Sequence, residues 1–220
     1  MAYIQGAANS DGFNDILSVT LSSDVTAGST VIAVWVTGGS QPDTVTTSGS
    51  GTFTDFTTGT AGGGAFAGSA LLKNAASGPH TITLTMPGPG SLRMVAVEYG
   101  GLTTFDVAST LADGFGSSAV GNNATPAASG ETAIGIVHAI GSGTTLSSWL
   151  SSLSEDVELV ANAHTFGFAS IASAGAGAIN AGATLSAGGS WTAWILFLSG
   201  GGGGASIVPL AAHQYRQRRA

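Results

Sequence analysis

Carboxylates are the side chains of this sequence whose type and spacing come closest to catalytic machinery. Glu155, Asp156 and Glu158 fall within four residues, and Glu98 stands in an apolar run beside Tyr99. Paired carboxylates serve glycoside hydrolysis, in which one acts as an acid and the other as a base or nucleophile. A solvated acidic turn is the favoured interpretation of the cluster. Glu98 is predicted to face solvent or to pair with Arg93, so a small hydrolase is the least favoured function.

Histidines are the only other candidate metal ligands, because the chain contains no cysteine. A zinc site needs three or four nitrogen, sulfur or carboxylate ligands brought together. None of the four histidines, His80, His138, His164 and His213, is paired with another two or four residues away. His138 and His164 lie in predicted strands and could meet in space. The favoured interpretation is polar residues at strand faces or rims, and no metal site is predicted.

Three further motifs bear on chemistry or modification. The serine-hydrolase elbow, Gly-x-Ser-x-Gly between a strand and a helix, does not occur. Gly114-Phe-Gly116-Ser-Ser-Ala119 fits a loose form of the dinucleotide fingerprint, but no helical pattern follows it. Asn123-Ala-Thr125 forms a glycosylation sequon that is interpreted as a loop coincidence. The sequence therefore predicts no catalytic residue and no cofactor.

The tryptophans offer a different kind of site, because aromatic rings on a sheet face can bind sugars. Trp35, Trp191 and Trp194 lie in the most apolar segments of the chain. Packing in the core is the favoured interpretation, and a sugar-binding face is the alternative.

Charge is distributed very unevenly. Residues 1–205 hold all twelve acids and two bases, Lys73 and Arg93, for a formal charge of −10 (two minus twelve). The last five residues hold Arg216, Arg218 and Arg219. An acidic body argues against nucleic-acid binding by the fold. The basic end is typical of a separate interaction segment.

The elements that must position these residues are strands. Alternating or continuous apolar runs of strand length recur along the chain, bounded by Gly, Ser, Asn and Pro. The runs cover residues 16–21, 30–36, 80–86, 93–99, 132–140, 157–160, 166–171 and 191–198. One segment departs from this pattern, because Leu146, Trp149, Leu150, Leu153 and Val157 fall at helical spacing. A loop or one to two helical turns is predicted there, and the alternative is an irregular crossover whose Trp149 caps the core.

An internal repeat organises these runs. Residues 27–100 and 129–200 carry similar segments in the same order, at an offset near 102 residues. Each begins with a buried strand and ends with a long apolar one. The fold class predicted is all-β: a jelly-roll-like antiparallel β-sandwich of two related halves, each contributing equivalent strands to two packed sheets. Residues 1–199 are predicted to form one body rather than two domains, since residues 101–128 have strand character.

The C-terminal extension has its own composition. Residues 200–204 are consecutive glycines and are predicted to act as a flexible joint. Residues 205–220 are predicted to be a tail that docks on a partner. The candidate docking residues are Ile207, Val208, Leu210, Tyr215, Arg216, Arg218 and Arg219.

Export and membrane signals are not expected. The N-terminus has no basic region followed by an apolar run, so no signal peptide is predicted. The longest apolar stretch, residues 191–198, is far shorter than a membrane span. Synthesis in the cytoplasm and no membrane contact are the expectations.

Two segments carry a resemblance to a known group. Val25-Thr-Ala-Gly-Ser-Thr-Val-Ile-Ala-Val-Trp-Val and Leu71-Leu-Lys-Asn-Ala-Ala-Ser-Gly-Pro-His-Thr-Ile-Thr-Leu-Thr, the latter followed by Met94-Val-Ala-Val-Glu-Tyr-Gly-Gly-Leu, resemble virion proteins of tailed phages and prophages. The resemblance covers residues 25–200. It implies a jelly-roll-like sandwich that decorates or cements a phage head, or serves as a fibre or tail accessory, and it carries over no functional residue.

The expected function is therefore that of a non-enzymatic virion protein. It would stabilise the particle as a capsid decoration or cement protein, through contacts between subunits and a docked tail. Its expected partners are other virion proteins and further copies of itself, in a homo-oligomer. The alternative is a carbohydrate-binding or adhesion module on a phage tail or fibre.

Overall fold

The computed structural model describes residues 2–61, 64–141 and 143–200. Over these ranges the chain forms strands and no α-helix, which confirms the predicted all-β class. The first half contains β1 (Ala2–Thr20), β2 (Thr30–Gly38), β3 (Thr44–Thr47), β4 (Thr54–Ala61), β5 (Ala65–Leu72) and β6 (Thr81–Gly100). The second half contains β7 (Thr104–Ala108), β8 (Ala112–Val120), β9 (Thr132–Ile140), β10 (Leu146–Ser147), β11 (Ser154–Ala161), β12 (His164–Ile171) and β13 (Gly182–Ser199).

Each half builds one antiparallel sheet, and the two sheets have the same topology. The first has the order β1-β6-β2-β5-β4, with β3 also paired to β6. The second runs β13-β9-β12-β11, and β7, β8 and β10 also pair with β13. Strands β6, β2, β5 and β4 therefore correspond to β13, β9, β12 and β11. The two halves therefore share the order and pairing of these four strands.

The central strand of each half is buried on both faces, as its continuous apolar sequence predicts. In β2, Val31 and Trp35 belong to a cluster formed by the first half alone. Ile32 and Val34, which point the other way, belong to a cluster shared by both sheets. The alternation of side chains along a strand thus gives β2 two separate packing partners.

The first sheet folds back on itself. Ile82 and Leu84 from the start of β6 share one cluster with Leu92 and Met94 from its end, and no second-half residue belongs to that cluster. Because these side chains are fully buried, the two ends of β6 must cover each other. Residues 87–90, Pro-Gly-Pro-Gly, lie between these two ends within the strand. The first half is therefore a two-layered unit.

The two sheets pack face to face through the shared cluster. The first half contributes Val95 and Val97 from β6, and the second contributes Ile134, Ile136 and Trp194 from β9 and β13, all fully buried. Burying a large apolar side chain completely stabilises a fold by about 1.5–3 kcal/mol. The contact between the halves is therefore a major source of stability.

Two segments between the main strands were harder to predict. Residues 101–128 supply β7 and β8, which pair with β13, so their strand character is confirmed. A loop or one to two helical turns was predicted for residues 146–157: the loop is confirmed over residues 148–153, and the helical turns are wrong. Ser148, Ser151 and Ser152 have positive φ values of 48°, 56° and 59°, which a right-handed helix does not allow. Trp149 packs against two core clusters, as the alternative of an irregular crossover requires.

In the part of the chain that the structure describes, no helix is long and apolar enough to cross a membrane.

Candidate functional site

Glu98 on β6 is fully buried, so the prediction that it faces solvent or pairs with Arg93 is wrong. Gln5 Nε2 donates to Glu98 Oε2 at 2.7 Å, and the Thr26 backbone N–H donates to Glu98 Oε1 at 2.8 Å. Gln5 in turn donates from Nε2 to the Ser23 carbonyl and accepts from the Ser23 N–H. The carboxylate therefore ties β1 and the loop before β2 to the centre of the first sheet.

The acidic cluster is part of β11 rather than a solvated turn, because each member holds a structural hydrogen bond. Trp149 Nε1 donates to Glu155 Oε2 at 3.0 Å, and the Leu146 N–H donates to Glu158 Oε1 at 2.5 Å. Tyr99 donates to Asp156 Oδ2 at 2.8 Å. Burial raises the pKa of both Asp156 and Glu158 above the ordinary range. These carboxylates hold neighbouring segments in place.

Asp156 marks one polar end of the interface between the halves. Its partner Tyr99 comes from β6 of the first half, and Tyr3 of β1 packs edge-on against Tyr99 with ring centroids 6.0 Å apart. Burial, followed by the nearby Asp156 charge, raises the pKa of Tyr99 well above 10, so the phenol stays neutral and donates. This end of the interface is joined by a hydrogen bond from one half to the other.

Two histidines mark the opposite end of the interface. His138 Nε2 and His164 Nδ1 are 2.8 Å apart and share a hydrogen bond, with ring centroids 5.0 Å apart. His138 also packs against Phe166, with ring centroids 4.9 Å apart. Both histidines lie on strands, as predicted, and they meet in space, which the sequence left open. Pairing of β12 with β9 brings them together from positions 26 residues apart.

The charge environment keeps this pair neutral. Burial, followed by His164 and Arg93, lowers the pKa of His138 to about 3. Burial and Arg93 lower the pKa of His164 to about 4. Arg93 belongs to β6 of the first half, so a cation of one half lies near two neutral imidazoles of the other. A nearby guanidinium disfavours a bound metal cation, because like charges repel.

Metal ligation needs more than this pair provides. Among residues 2–61, 64–141 and 143–200, no group of three or more histidines or carboxylates is placed to hold a metal ion. His80 lies elsewhere, buried in the first half, where its ring nitrogens bond to Thr47 Oγ1 at 2.9 Å and to the Ala76 carbonyl at 3.1 Å. His213 lies outside the described residues.

The tryptophans pack largely as predicted. Trp35 and Trp194 are fully buried, which confirms core packing for both, and Trp191 is half-buried against Gly114. Trp194 Nε1 donates to Ser69 Oγ at 3.1 Å, joining β13 of the second half to β5 of the first. The indole therefore contributes a directional bond at the centre of the interface.

The remaining sequence motifs have plain structural roles. Residues 114–119, the loose dinucleotide fingerprint, lie within strand β8. Asn123 of the sequon is exposed in the connection after β8. The tail residues predicted to dock lie outside the described residues: Ile207, Val208, Leu210, Tyr215, Arg216, Arg218 and Arg219.

The structure also reveals a surface feature that the sequence reasoning missed. Asp11-Gly12-Phe13 in β1 and Asp113-Gly114-Phe115 in β8 have the same sequence at an offset of 102 residues, which is the offset of the repeat. Phe13 is 76% exposed and Phe115 is 82% exposed. We call these two segments the DGF tips. The shared offset was the signal that could have found them.

The DGF tips occupy equivalent places in the two sheets. In the first, Asp11 pairs with Leu92 and Asn14 with Gly90, so Phe13 lies opposite Ser91. In the second, Phe115 pairs with Ser190. Each tip adjoins a shift in strand register, and such bulges re-aim side chains out of the regular ladder.

The first tip is held by its own aspartate. The Phe13 N–H donates to Asp11 Oδ1 at 3.3 Å, and Asn14 Nδ2 donates to Asp11 Oδ2 at 2.6 Å. These hydrogen bonds hold the pKa of Asp11 below its ordinary value. A closed aspartate turn presents the phenyl ring outward, so the exposure of Phe13 follows from local structure.

The described residues thus divide into two groups. The histidines and carboxylates considered for chemistry make hydrogen bonds that join strands or halves, and the Phe13 and Phe115 rings are exposed. Comparison with protein families, with curated proteins and with solved structures finds no match for this chain.

Proposed function

We propose that this protein has a structural, non-enzymatic role and acts by binding neighbouring subunits of an assembly. The observation that carries the proposal is the exposure of Phe13 and Phe115 at equivalent positions of the two halves. Aromatic residues, Phe among them, are enriched in the cores of protein interfaces. The same motif, Asp-Gly-Phe, exposes a phenyl ring in each half, and this repetition supports a binding role for Phe13 and Phe115.

The setting we propose is a tailed-phage particle, in which the protein decorates or cements the head. This part rests on the resemblance of residues 25–200 to phage virion sandwiches. The partners would be the major capsid protein and neighbouring copies, and the C-terminal segment 205–220 would add a docking element. Stabilisation would come from surface buried between subunits, which favours the assembled state by mass action.

Incorporation into particles tests this function. A tagged full-length chain and a variant lacking residues 200–220 would be produced during phage assembly, and the particles purified by sedimentation. We expect full-length protein in the particle fraction and the truncated variant in the soluble fraction. The control replaces residues 205–220 with a Gly/Ser segment of equal length, which tests sequence rather than length. Equal incorporation of all three chains would exclude a docking role for the segment.

Sugar binding is the second candidate, and the exposed phenyl rings favour it to a lesser degree. Trp35, Trp194 and Tyr99, which stack well on sugars, are buried and unavailable for this role. Trp191 and Trp149 are half-buried. Screening the full-length protein on a glycan array tests this alternative. Binding that is lost on Phe115→Ser or Trp191→Ala would support it, and an array without signal would exclude it for the sugars displayed.

A further inference from the structure

We infer that the DGF tips bind the C-terminal segment, residues 205–220, of a second copy of this chain. This inference rests on the proposed function, since it names the receiving surface for the docking segment. It would make the protein a head-to-tail self-assembling subunit.

The tips form one end of the molecule. Arg93 of the first half pairs with Val36, which shares the interface cluster with Phe166, and the Phe166 ring packs on His138 of the second half. Arg93 lies two residues beyond Ser91, which is opposite Phe13. His138 pairs with Thr192, which lies two residues beyond Ser190, the partner of Phe115. Both tips therefore adjoin the same end of the interface, and one extended segment can contact both.

The tips also offer charge that suits the segment. Asp15 beside Phe13 and Asp113 beside Phe115 are exposed, and Asp11 is partly exposed. The C-terminal segment carries three arginines and no acid. Complementary potentials of this kind fix orientation and speed association. An acidic surface with exposed rings matches a basic partner with apolar side chains.

The segment has those apolar side chains in the right order. Ile207, Val208 and Leu210 come first, and Tyr215 and the arginines follow. Phenyl rings at the tips offer contacts for the aliphatic residues, and arginine guanidinium groups pair with carboxylates or stack on rings. The segment therefore matches the tips in both apolar and charged chemistry.

Chain length argues for a second copy. Ser199, the last residue of β13, lies nine residues beyond Ser190, a span of about 30 Å along a strand. The eight residues from Gly200 to Ile207 reach at most about 29 Å even when fully extended. Ile207 could approach the tips of its own copy only with residues 200–207 fully extended, whereas the tips of a neighbouring copy require no such extension.

The geometry of such a contact is heterologous. The segment leaves one end of the sandwich and the tips lie at the other, so each copy can donate and receive at once. Heterologous contacts build rings when the rotation closes and open filaments when it does not. Either outcome suits a protein that covers a large symmetric surface.

Sedimentation velocity of the full-length chain over a concentration series tests the inference. We expect concentration-dependent association of the wild type, and at least about a tenfold weaker association for Phe13→Ser/Phe115→Ser. Phe56→Ser is the matched control, because Phe56 on β4 is another exposed phenylalanine, at 53%, and lies outside both DGF motifs. It should associate like the wild type. Circular dichroism would verify that all variants are folded.

A charge exchange tests the pairing itself. Asp15→Lys/Asp113→Lys should weaken association, and so should Arg216→Asp/Arg218→Asp. Mixing the two variants should restore it, because opposite charges then meet between copies.

The outcomes separate this inference from the proposed function. A wild type that stays monomeric to about 100 µM, or association that the tip variants leave unchanged, would overturn the inference. If the truncated chain also fails to enter particles, the segment docks on another protein and the proposed function stands. If truncation leaves incorporation unchanged, the docking role proposed for the segment fails as well.

Discussion

The two halves of the molecule share strand order and strand pairing, but they differ where they face each other. Trp194 of the second half occupies the position that Val95 occupies in the first, since each pairs with the equivalent residue of the central strand. Ser69 likewise occupies the position of Phe168. Trp194 meets Ser69 directly. A large residue on one side is thus matched by a small one on the other.

This difference shows that the halves have become complementary rather than interchangeable. Two copies of the first half would leave the centre underfilled, and two copies of the second would overfill it, because protein interiors are close-packed. The end of the interface at the histidine pair shows the same asymmetry. Arg93 belongs to the first half there, and both histidines belong to the second. The DGF tips, by contrast, are the same in both halves. The two halves therefore differ in their buried interface residues and are alike in their exposed DGF tips.

The largest expected effect breaks the match at the centre of the interface. Trp194→Val should lower the free energy of unfolding by about 3–4 kcal/mol, because a cavity opens and the Ser69 bond is lost. Ser69→Phe alone should overpack the site and cost about 1–3 kcal/mol. The double variant restores the side-chain volume at the interface. Its loss of unfolding free energy should therefore be at least about 1 kcal/mol smaller than the sum of the two single losses. Urea denaturation measures all three.

Trp35 supplies the control for this exchange. It is as deeply buried as Trp194 but belongs to the cluster internal to the first half. The losses of unfolding free energy caused by Trp35→Val and by Ser69→Phe should add up in the double variant. If the losses of unfolding free energy caused by Trp194→Val and Ser69→Phe also add up, the account of complementary halves is contradicted.

The next effect concerns a polar position of the first half that is apolar in the second. Glu98 corresponds to Phe197, since their central-strand partners are Val31 and Ala133. Glu98→Ala should cost about 2–3 kcal/mol, because the Gln5 and Thr26 donors lose their acceptor in a buried site. Glu155→Ala, at an exposed carboxylate of the second half, should cost less than about 1 kcal/mol. If denaturant titrations give equal losses of unfolding free energy for Glu98→Ala and Glu155→Ala, the burial of Glu98 makes no additional contribution to stability.

The histidine pair predicts a pH dependence that the first half lacks, because Val36 and Ala65 stand at the equivalent positions. The folded-state pKa of His138, about 3, lies below its ordinary value of 6.5. The unfolded chain therefore binds a proton first as the pH falls. The stability contributed by a neutral His138 is complete above pH 6.5 and is lost progressively toward pH 3. By pH 5 the loss should be roughly 2 kcal/mol.

A matched variant isolates this effect from the carboxylates that also titrate. His138→Val/His164→Ala introduces the residues of the first half at the same positions. The difference in the free energy of unfolding between wild type and variant should narrow or reverse sign from pH 7 to pH 5. A difference independent of pH would show that the histidines keep ordinary pKa values in the fold.

The smallest effect concerns the other end of the interface. Tyr99 corresponds to Leu198 of the second half, which has no hydroxyl to bond across the interface. Tyr99→Phe removes the bond to Asp156 and should cost about 1 kcal/mol. Tyr3→Phe is the control, since the Tyr3 ring packs on Tyr99 while Tyr99 makes the bond to Asp156. A larger loss for Tyr3→Phe, measured by thermal denaturation, would place the important contact elsewhere.

The strands could be predicted because their signal is local. Continuous apolar runs at residues 30–36 and 132–140 indicate strands buried on both faces, and the 102-residue offset predicts two related halves. Helical turns were wrongly predicted for residues 146–157, because apolar residues that fill two separate clusters from an irregular loop happen to fall at helical spacing. Positive φ values at three serines are not visible in composition.

Contacts across the fold could not be predicted from spacing. The His138–His164 pair depends on the register of β9 and β12, and the burial of Glu98 depends on Gln5, which is 93 residues away. The DGF tips were within reach, because both the motif and its offset are visible in the sequence. Their exposure, which makes them candidate binding groups, could not be predicted because it depends on the strand pairing and its bulges.

Crosslinking between copies tests the central claim most directly. A photoreactive amino acid at position 115 of the full-length chain would be activated in an equal mixture of ¹⁴N- and ¹⁵N-labelled protein, and crosslinked peptides identified by mass spectrometry. The account predicts mixed-isotope crosslinks that join position 115 to residues 205–220. Crosslinks to that segment only within one copy, or none to it at all, would contradict the account.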